Sequence, residues 1–201
     1  MIRKLVMIRH GATDWTGMNK LQGHLNCDLS EAGRRQVDVL KRLLVNINTS
    51  HVISSDLNRC IQTAEILGLS LDAESRCWRE IDAGDWSGRL IEPLQDALND
   101  WQQGNLVPPN GESRRDFSDR IGNALAGLSA IEAHTAVLFT HGQVIREMVH
   151  QVSGMPLEGL SLPELASATV LDLDQKRLLV YSAVPDLSHL DLGAGLSVGR
   201  V

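Results

Sequence analysis

Residues 5–8 read Leu-Val-Met-Ile, and residues 9–11 read Arg-His-Gly. An apolar run with no alternation has no wet face, so it describes a strand covered on both sides, as in a parallel sheet. The run stops on a cation and an imidazole, followed by the residue with no side chain. A second run, Ala136-Val137-Leu138-Phe139, stops in a similar way on Thr140-His141-Gly142. Strands of this kind need helices to cover them. After Ser30, a candidate N-cap, and Glu31 in the first turn, Val37, Leu40 and Leu44 recur at helical spacing. His51–Ser55 reads as a strand. It leads into a helix through Ile61, Ala64 and Leu67, which Asp56 can cap and Gly68 can end. A less regular strand covers Leu71 to Cys77. Phe117, Ile121, Leu125 and Leu128 mark one further amphipathic helix, and Val144, Ile145, Met148, Val149 and Val152 mark another that begins at Gly142. Ala168–Leu173 and Arg177–Ala183 read as closing strands. Strands alternating with helices define an α/β fold with a mostly parallel central sheet, flanked by helices on both faces.

The 201 residues suit one domain, 1–201. Gly11 to Asp28 reads as a polar loop. Residues 85–112 read as irregular or weakly helical, broken by Pro108-Pro109-Asn110-Gly111, and residues 185–201 as a loosely held tail. The formal charge of −6 argues against broad nucleic-acid or membrane-surface binding, so an anionic ligand must be held by a few placed cations. Cys27, Cys60 and Cys77 are odd in number and lack C-x-x-C spacing, which reads as free core thiols in a reducing compartment. No apolar stretch has the length of a signal peptide or a membrane span, so the expected location is the cytoplasm. A homodimer is compatible with the sequence. The seven histidines show no metal-ligand spacing, so no metal site is expected. His24 reads as a surface residue and His150 as a capping or solvated one.

Ligands of open α/β sheets bind beyond the C-terminal strand ends. Three such ends carry Arg9-His10-Gly11, Ser54-Ser55-Asp56 with Arg59 one turn on, and Thr140-His141-Gly142. If these strands are neighbours, two arginines and two histidines converge. Arginine forks suit phosphate oxygens, and a neutral imidazole is a competent nucleophile toward phosphorus. Such chemistry also needs an acid for the departing oxygen. On this reading Arg9 holds the phosphate, His10 attacks it, and Gly11 lets the backbone come close.

These residues resemble the histidine phosphatase superfamily, also called phosphoglycerate mutase-like. Its R-H-G-x-T-x-W signature is matched by Arg9 through Trp15. L-x-G-x-x-x-x-x-L-[ST]-x-x-G is matched from Leu21-Gln22-Gly23 to Gly33, and S-S-x-L-x-R-x-x-x-T-A from Ser54 to Ala64. E-x-x-x-G-x-W is met by Glu80, Gly84 and Trp86, and Thr140-His141-Gly142 supplies the second histidine motif. The resemblance spans roughly residues 3–182.

The resemblance implies a phosphohistidine on His10, with no metal and no cofactor. Arg9, Arg59 and His141 complete the phosphate pocket. Glu80 serves as proton donor and then as base, in preference to the neighbouring Asp82 and Asp85. Thr16, Gln22, Gly23 and Gly142 are implied to face the phosphate or substrate. Thr16 stands where many members carry asparagine, and Ser87 where many carry glutamate. Little room separates Glu80 from His141 for the insertion usual in mutases, which favours a phosphatase of a small phosphorylated metabolite. The Asp100-Trp101-Gln102 and Pro109-Asn110-Gly111-Glu112-Ser113 segments resemble bacterial phosphatases that act on α-ribazole 5′-phosphate in cobalamin assembly. A phosphoglycerate mutase, a phosphatase of a phosphosugar or phosphoglycerate, and a non-catalytic phosphate-binding module are the alternatives. The segment from Trp86 to Gly111 is expected to cover the pocket, with Trp101 either stacking on a heterocycle or packing on its own loop.

Overall fold

A computed structural model of the chain describes residues 1–44 and 51–184. The side chain of Leu44 and the expected tail, 185–201, lie outside the described residues. Six strands form one sheet: β1 (Lys4–Arg9), β2 (His51–Ser55), β3 (Ala73–Ser75), β4 (Thr135–Thr140), β5 (Ala168–Asp172) and β6 (Arg177–Ala183). Their order is β3-β2-β4-β1-β5-β6. The contacts β3–β2, β2–β4 and β4–β1 are parallel, and β5 runs against both β1 and β6. The sheet is therefore mixed and mostly parallel.

Because successive strand residues face opposite ways, β1 serves two cores. Leu5 and Met7 join a cluster with Trp101, Phe117, Ile121, Val144 and Met148. Val6 and Ile8 join the opposite one, with Val37, Leu40, Cys60 and Ala64. Helices α2 (Glu31–Leu44) and α3 (Asn58–Leu67) thus cover one face. Helices α4 (Gln95–Gln103), α5 (Arg114–Gly127) and α6 (Gly142–Ser153) cover the other. None of the described helices is long and apolar enough to cross a membrane.

Ser30 does cap α2, accepting from the Gly33 N–H at 3.1 Å. That first turn lies directly on the loop after β1. A Cβ on Gly33 would sit 1.9 Å from the Ala12 carbonyl oxygen, and one on Gly11 would sit 2.7 Å from the Gly33 carbonyl oxygen. The close approach that requires glycine after His10 is therefore made to α2.

Several local expectations are corrected. Asp56 does not cap α3, whose N-cap position is Leu57 with no side-chain hydrogen bond. Its carboxylate instead takes the Arg79 fork at 2.6 and 2.6 Å. A bidentate charged pair outweighs a single cap hydrogen bond, and that pair holds the Asp56 carboxyl below its ordinary value. Strand β3 is shorter than Leu71–Cys77, because the chain turns at Arg76–Trp78 to bury Trp78 in the core. The polar loop after β1 contains α1 (Asp14–Gly17), one turn closed by a capping box of Thr13 and Thr16. The segment 85–112 contains α4, which buries Leu98 and Trp101 and ends at Gly104 in the left-handed conformation. Helix α5 begins at Arg114, earlier than its apolar stripe, since Ser113 accepts from the Asp116 N–H at 3.0 Å. Cys60 is buried, whereas Cys27 and Cys77 are only half-buried; all three are free.

Candidate active site

The strand order makes β1 and β2 the two neighbours of β4, so the three polar strand ends lie side by side. Arg9 is in register with Thr140, and Ser54 with Phe139. The His10 N–H continues the ladder by donating to the Thr140 carbonyl at 3.1 Å. The imidazoles of His10 and His141 consequently meet edge to face, with centroids 5.2 Å apart.

His10 is buried, and its Nδ1 lies 2.8 Å from the Gly11 carbonyl oxygen. A carbonyl can only accept, so Nδ1 carries the proton and Nε2 keeps its lone pair. Burial holds the ring well below the ordinary value of 6.5, and Arg59 and Arg9 push in the same direction. The result is a neutral imidazole with a free, unprotonated nitrogen among cations.

Arg59 is a fully buried side chain fixed on every side. Its terminal nitrogens donate to the carbonyls of Leu25 (2.9 Å) and Gly23 (2.9 Å), and its Nε donates to His141 Nδ1 (3.3 Å). His141 therefore carries its proton on Nε2 and donates it to Ser55 Oγ at 2.9 Å. The Arg59 Nε–H thus sets the His141 tautomer, and Ser55, at the end of β2, takes the remaining proton. Burial holds His141 well below 6.5, with Arg59, His10 and Arg9 adding to the shift. Cys60 Sγ lies 3.5 Å from His141 Nε2, and burial raises that thiol to about 12. It packs there as a neutral thiol.

Arg9 donates to the Pro163 carbonyl, while its buried Nε has no hydrogen-bond partner among the described residues. Gly142 stands against this guanidinium: a Cβ there would lie 3.2 Å from Arg9 Cζ. Neither Arg9 nor Arg59 forms an ion pair among the described residues, and burial lowers both pKa values. Gln22 Oε1 is likewise buried without a partner among the described residues. Its amide nitrogen donates to Thr16 Oγ1 at 3.0 Å. Thr16 was expected to face substrate, but its hydroxyl also accepts from the Thr13 N–H at 3.2 Å. It serves the α1 cap and orients Gln22.

Glu80 approaches from the loop after β3. Its carboxylate accepts from the Ile81 N–H (3.0 Å) and from the Gln143 N–H (3.2 Å) in the first turn of α6. Asp82 and Asp85 are committed elsewhere, to His24 (3.1 Å) and to Asn110 (3.1 Å). Glu80 lines a cavity of about 240 Å³, walled by Leu21, Ile81, Ile91, Leu98 and Trp101, with Gln143 and Arg114 among its polar groups. Trp101 is edge to face with Trp86, and its indole N–H donates to the Glu112 carbonyl at 2.9 Å, so the ring packs on its own segment. His24 is not a free surface residue: its Nε2 donates to the Glu80 carbonyl at 2.8 Å. His150 bonds the Met155 carbonyl just past the end of α6. No group of three or more His, Cys, Asp or Glu side chains placed to hold a metal ion occurs among the described residues.

The depressed imidazoles predict a pH dependence of stability. The folded chain binds fewer protons than the unfolded one once the pH falls below the free histidine value of 6.5. Unfolding then takes up protons, so this contribution is complete above that pH and is lost as the pH falls toward the folded values. The Tm is expected to drop between about pH 7 and pH 5, and less steeply in His10→Asn. Identical slopes in the two proteins would show that His10 is not buried in its neutral form.

The chain as a whole is similar to known proteins. A profile of the histidine phosphatase superfamily (branch 1) matches residues 5–182. A Klebsiella pneumoniae protein described as "Probable phosphoglycerate mutase GpmB" is 30% identical, over 95% of this chain and 96% of its own. A structure of an Escherichia coli K-12 chain, described as "a putative alpha-ribazole-5'-P phosphatase", superposes with a TM-score of 0.81 at 27% identity, covering 91% of this chain and 97% of that one. The mycobacterial glucosyl-3-phosphoglycerate phosphatase Rv2419c gives a TM-score of 0.76 at 30% identity, covering 90% and 99%. Members of the superfamily are phosphatases or mutases. With its motifs in order, its paired strand-end histidines and a match running from β1 into β6, this chain belongs to branch 1 of the histidine phosphatase superfamily.

Proposed function

We propose that the protein is a metal-independent phosphomonoesterase that works through a phosphohistidine on His10. The observation that carries this reading is the His10 tautomer: Nδ1–H is held by the Gly11 carbonyl, and Nε2 is unprotonated. Nε2 attacks phosphorus, the ester oxygen departs, and Glu80 gives that oxygen its proton. Water then attacks the phosphohistidine and loses a proton to Glu80, which releases phosphate and restores His10. Arg9 and Arg59, with neutral His141 beside them, offset the charge on the transferred group.

The mostly apolar wall of the cavity beside Glu80 supports a leaving group with a substantial apolar surface. Together with the description of the Escherichia coli structure, it favours α-ribazole 5′-phosphate as the substrate. The relatives described as phosphoglycerate mutases favour a second reading, in which the same intermediate returns its phosphate to a product hydroxyl.

A panel of phosphorylated metabolites, assayed with and without a chelator, tests both readings. We expect chelator-resistant release of inorganic phosphate, fastest on α-ribazole 5′-phosphate, and acid-labile phosphate on the quenched protein. Isomerised phosphoglycerate without net phosphate release would replace the phosphatase reading with the mutase one. Phosphate binding with no turnover on any ester would reduce the protein to a binding module.

A further inference from the structure

Glu80 sits on a loop, not on the sheet, yet proton donation to a leaving oxygen demands a carboxyl fixed to within a fraction of an ångström. We propose that Arg120, on α5, is the positioning residue for Glu80; this rests on the role given to Glu80 above.

The guanidinium of Arg120 has five N–H donors, and the structure supplies five acceptors. Nε and one terminal nitrogen form a fork on the Glu112 carboxylate, at 2.8 and 2.7 Å. The other terminal nitrogen donates to the carbonyls of Cys77 (2.8 Å) and Arg79 (3.0 Å). The remaining donor reaches the carbonyl of Glu80 itself at 3.2 Å. One planar group therefore grips three of the four residues from 77 to 80. Its central carbon lies over the Phe117 ring, 5.1 Å from the centroid, and Phe117 is anchored in the core.

Glu112 completes the clamp from the far side. Its carboxylate accepts from the Asp82 N–H at 3.2 Å, and its own N–H donates to the Asp82 carbonyl at 2.9 Å. Gly84 permits this closeness: its φ is +48°, and a Cβ would lie 2.2 Å from the Pro109 carbonyl oxygen. The Pro109-Asn110-Gly111-Glu112-Ser113 element is thus structurally the rear support of the acid loop. Lysine has three donors on one atom and cannot reproduce this pattern.

The test separates positioning from plain stability. First-turnover rates are measured on an alkyl phosphate, whose leaving oxygen needs a proton, and on 2,4-dinitrophenyl phosphate, whose leaving oxygen does not. In R120Q we expect about a 30- to 100-fold loss on the alkyl ester and less than about threefold on the dinitrophenyl ester. E112Q should show the same selectivity with a loss of about tenfold, and it decides the matter if R120Q melts below the assay temperature. In an E80Q background, R120Q should add less than about twofold, because the group it positions is already gone. Equal losses on both esters, or a full further loss in E80Q, would overturn the proposal. A wild-type protein that turns over neither ester would instead remove the phosphatase reading on which it rests.

Discussion

Alanine in place of His10 is expected to lower turnover by on the order of 10⁴-fold or more and to leave no acid-labile phosphate on the protein. The substitution removes the group proposed to bond to phosphorus and leaves its surroundings standing. The His10 N–H still bonds the Thr140 carbonyl, and Arg59 keeps its links to Gly23, Leu25 and His141. Binding of inorganic phosphate should therefore survive while chemistry fails. Isothermal titration with phosphate, beside a quenched-flow assay of both proteins, checks the two halves separately. Catalysis by His10→Ala at the wild-type rate would end the phosphohistidine reading.

Arg59→Met is the second large effect, and it separates function from stability in a different way. Arg59 is a buried cation that bonds two carbonyls and an imidazole, with Arg9 nearby and no ion-pairing carboxylate among the described residues. Removing it leaves two carbonyls and the His141 Nδ1 acceptor without that donor, at about 1–3 kcal/mol each. It also abolishes the desolvation of an unpaired charge, which is several kcal/mol in the opposite direction. The two effects nearly offset, so the Tm of the phosphate-free protein should move by only a few degrees. Ligand response is another matter. Saturating phosphate, at about 100 times its Kd, should add about 2.7 kcal/mol to the wild type, a rise of about 5–10 °C for a domain of this size. In Arg59→Met that rise should vanish, and turnover should fall by about 10³-fold. A thermal scan with and without phosphate measures it. An undiminished rise would mean that phosphate binds elsewhere.

Much of this was legible in the residues because strand ends are easy to read. An unbroken apolar run that stops on charged residues locates a sheet's C-terminal edge, and Arg9, His10, Arg59 and His141 all follow from it. The neighbour relation of β1, β4 and β2 was a condition of the reading, and pairing over more than 80 residues of intervening sequence is invisible to local pattern. What local pattern missed was small or indirect. Helix α4 does carry a stripe, Leu98 and Trp101, continued from Leu94 just before it, but a short one flanked by glutamine and asparagine. Thr16 was expected to face substrate from its position in the motif, which does not show the reciprocal bonds that also tie it to Thr13. Asp56 looked like a cap because Arg79, its actual partner, stands 23 residues away. Ser55, Arg120 and His24 act through other groups, and a residue whose task is to orient a neighbour leaves no signature of its own.

The two kinds of support have separate origins in the chain. His10, the proposed nucleophile, directly follows a strand locked into the middle of the sheet, whereas Glu80 and most of the wall of its cavity lie off the sheet, in residues 80–102. Insertions, deletions and drift in that stretch can re-cut the alcohol side without disturbing the phosphoryl side. A lineage built in this way can change diet while keeping the same teeth.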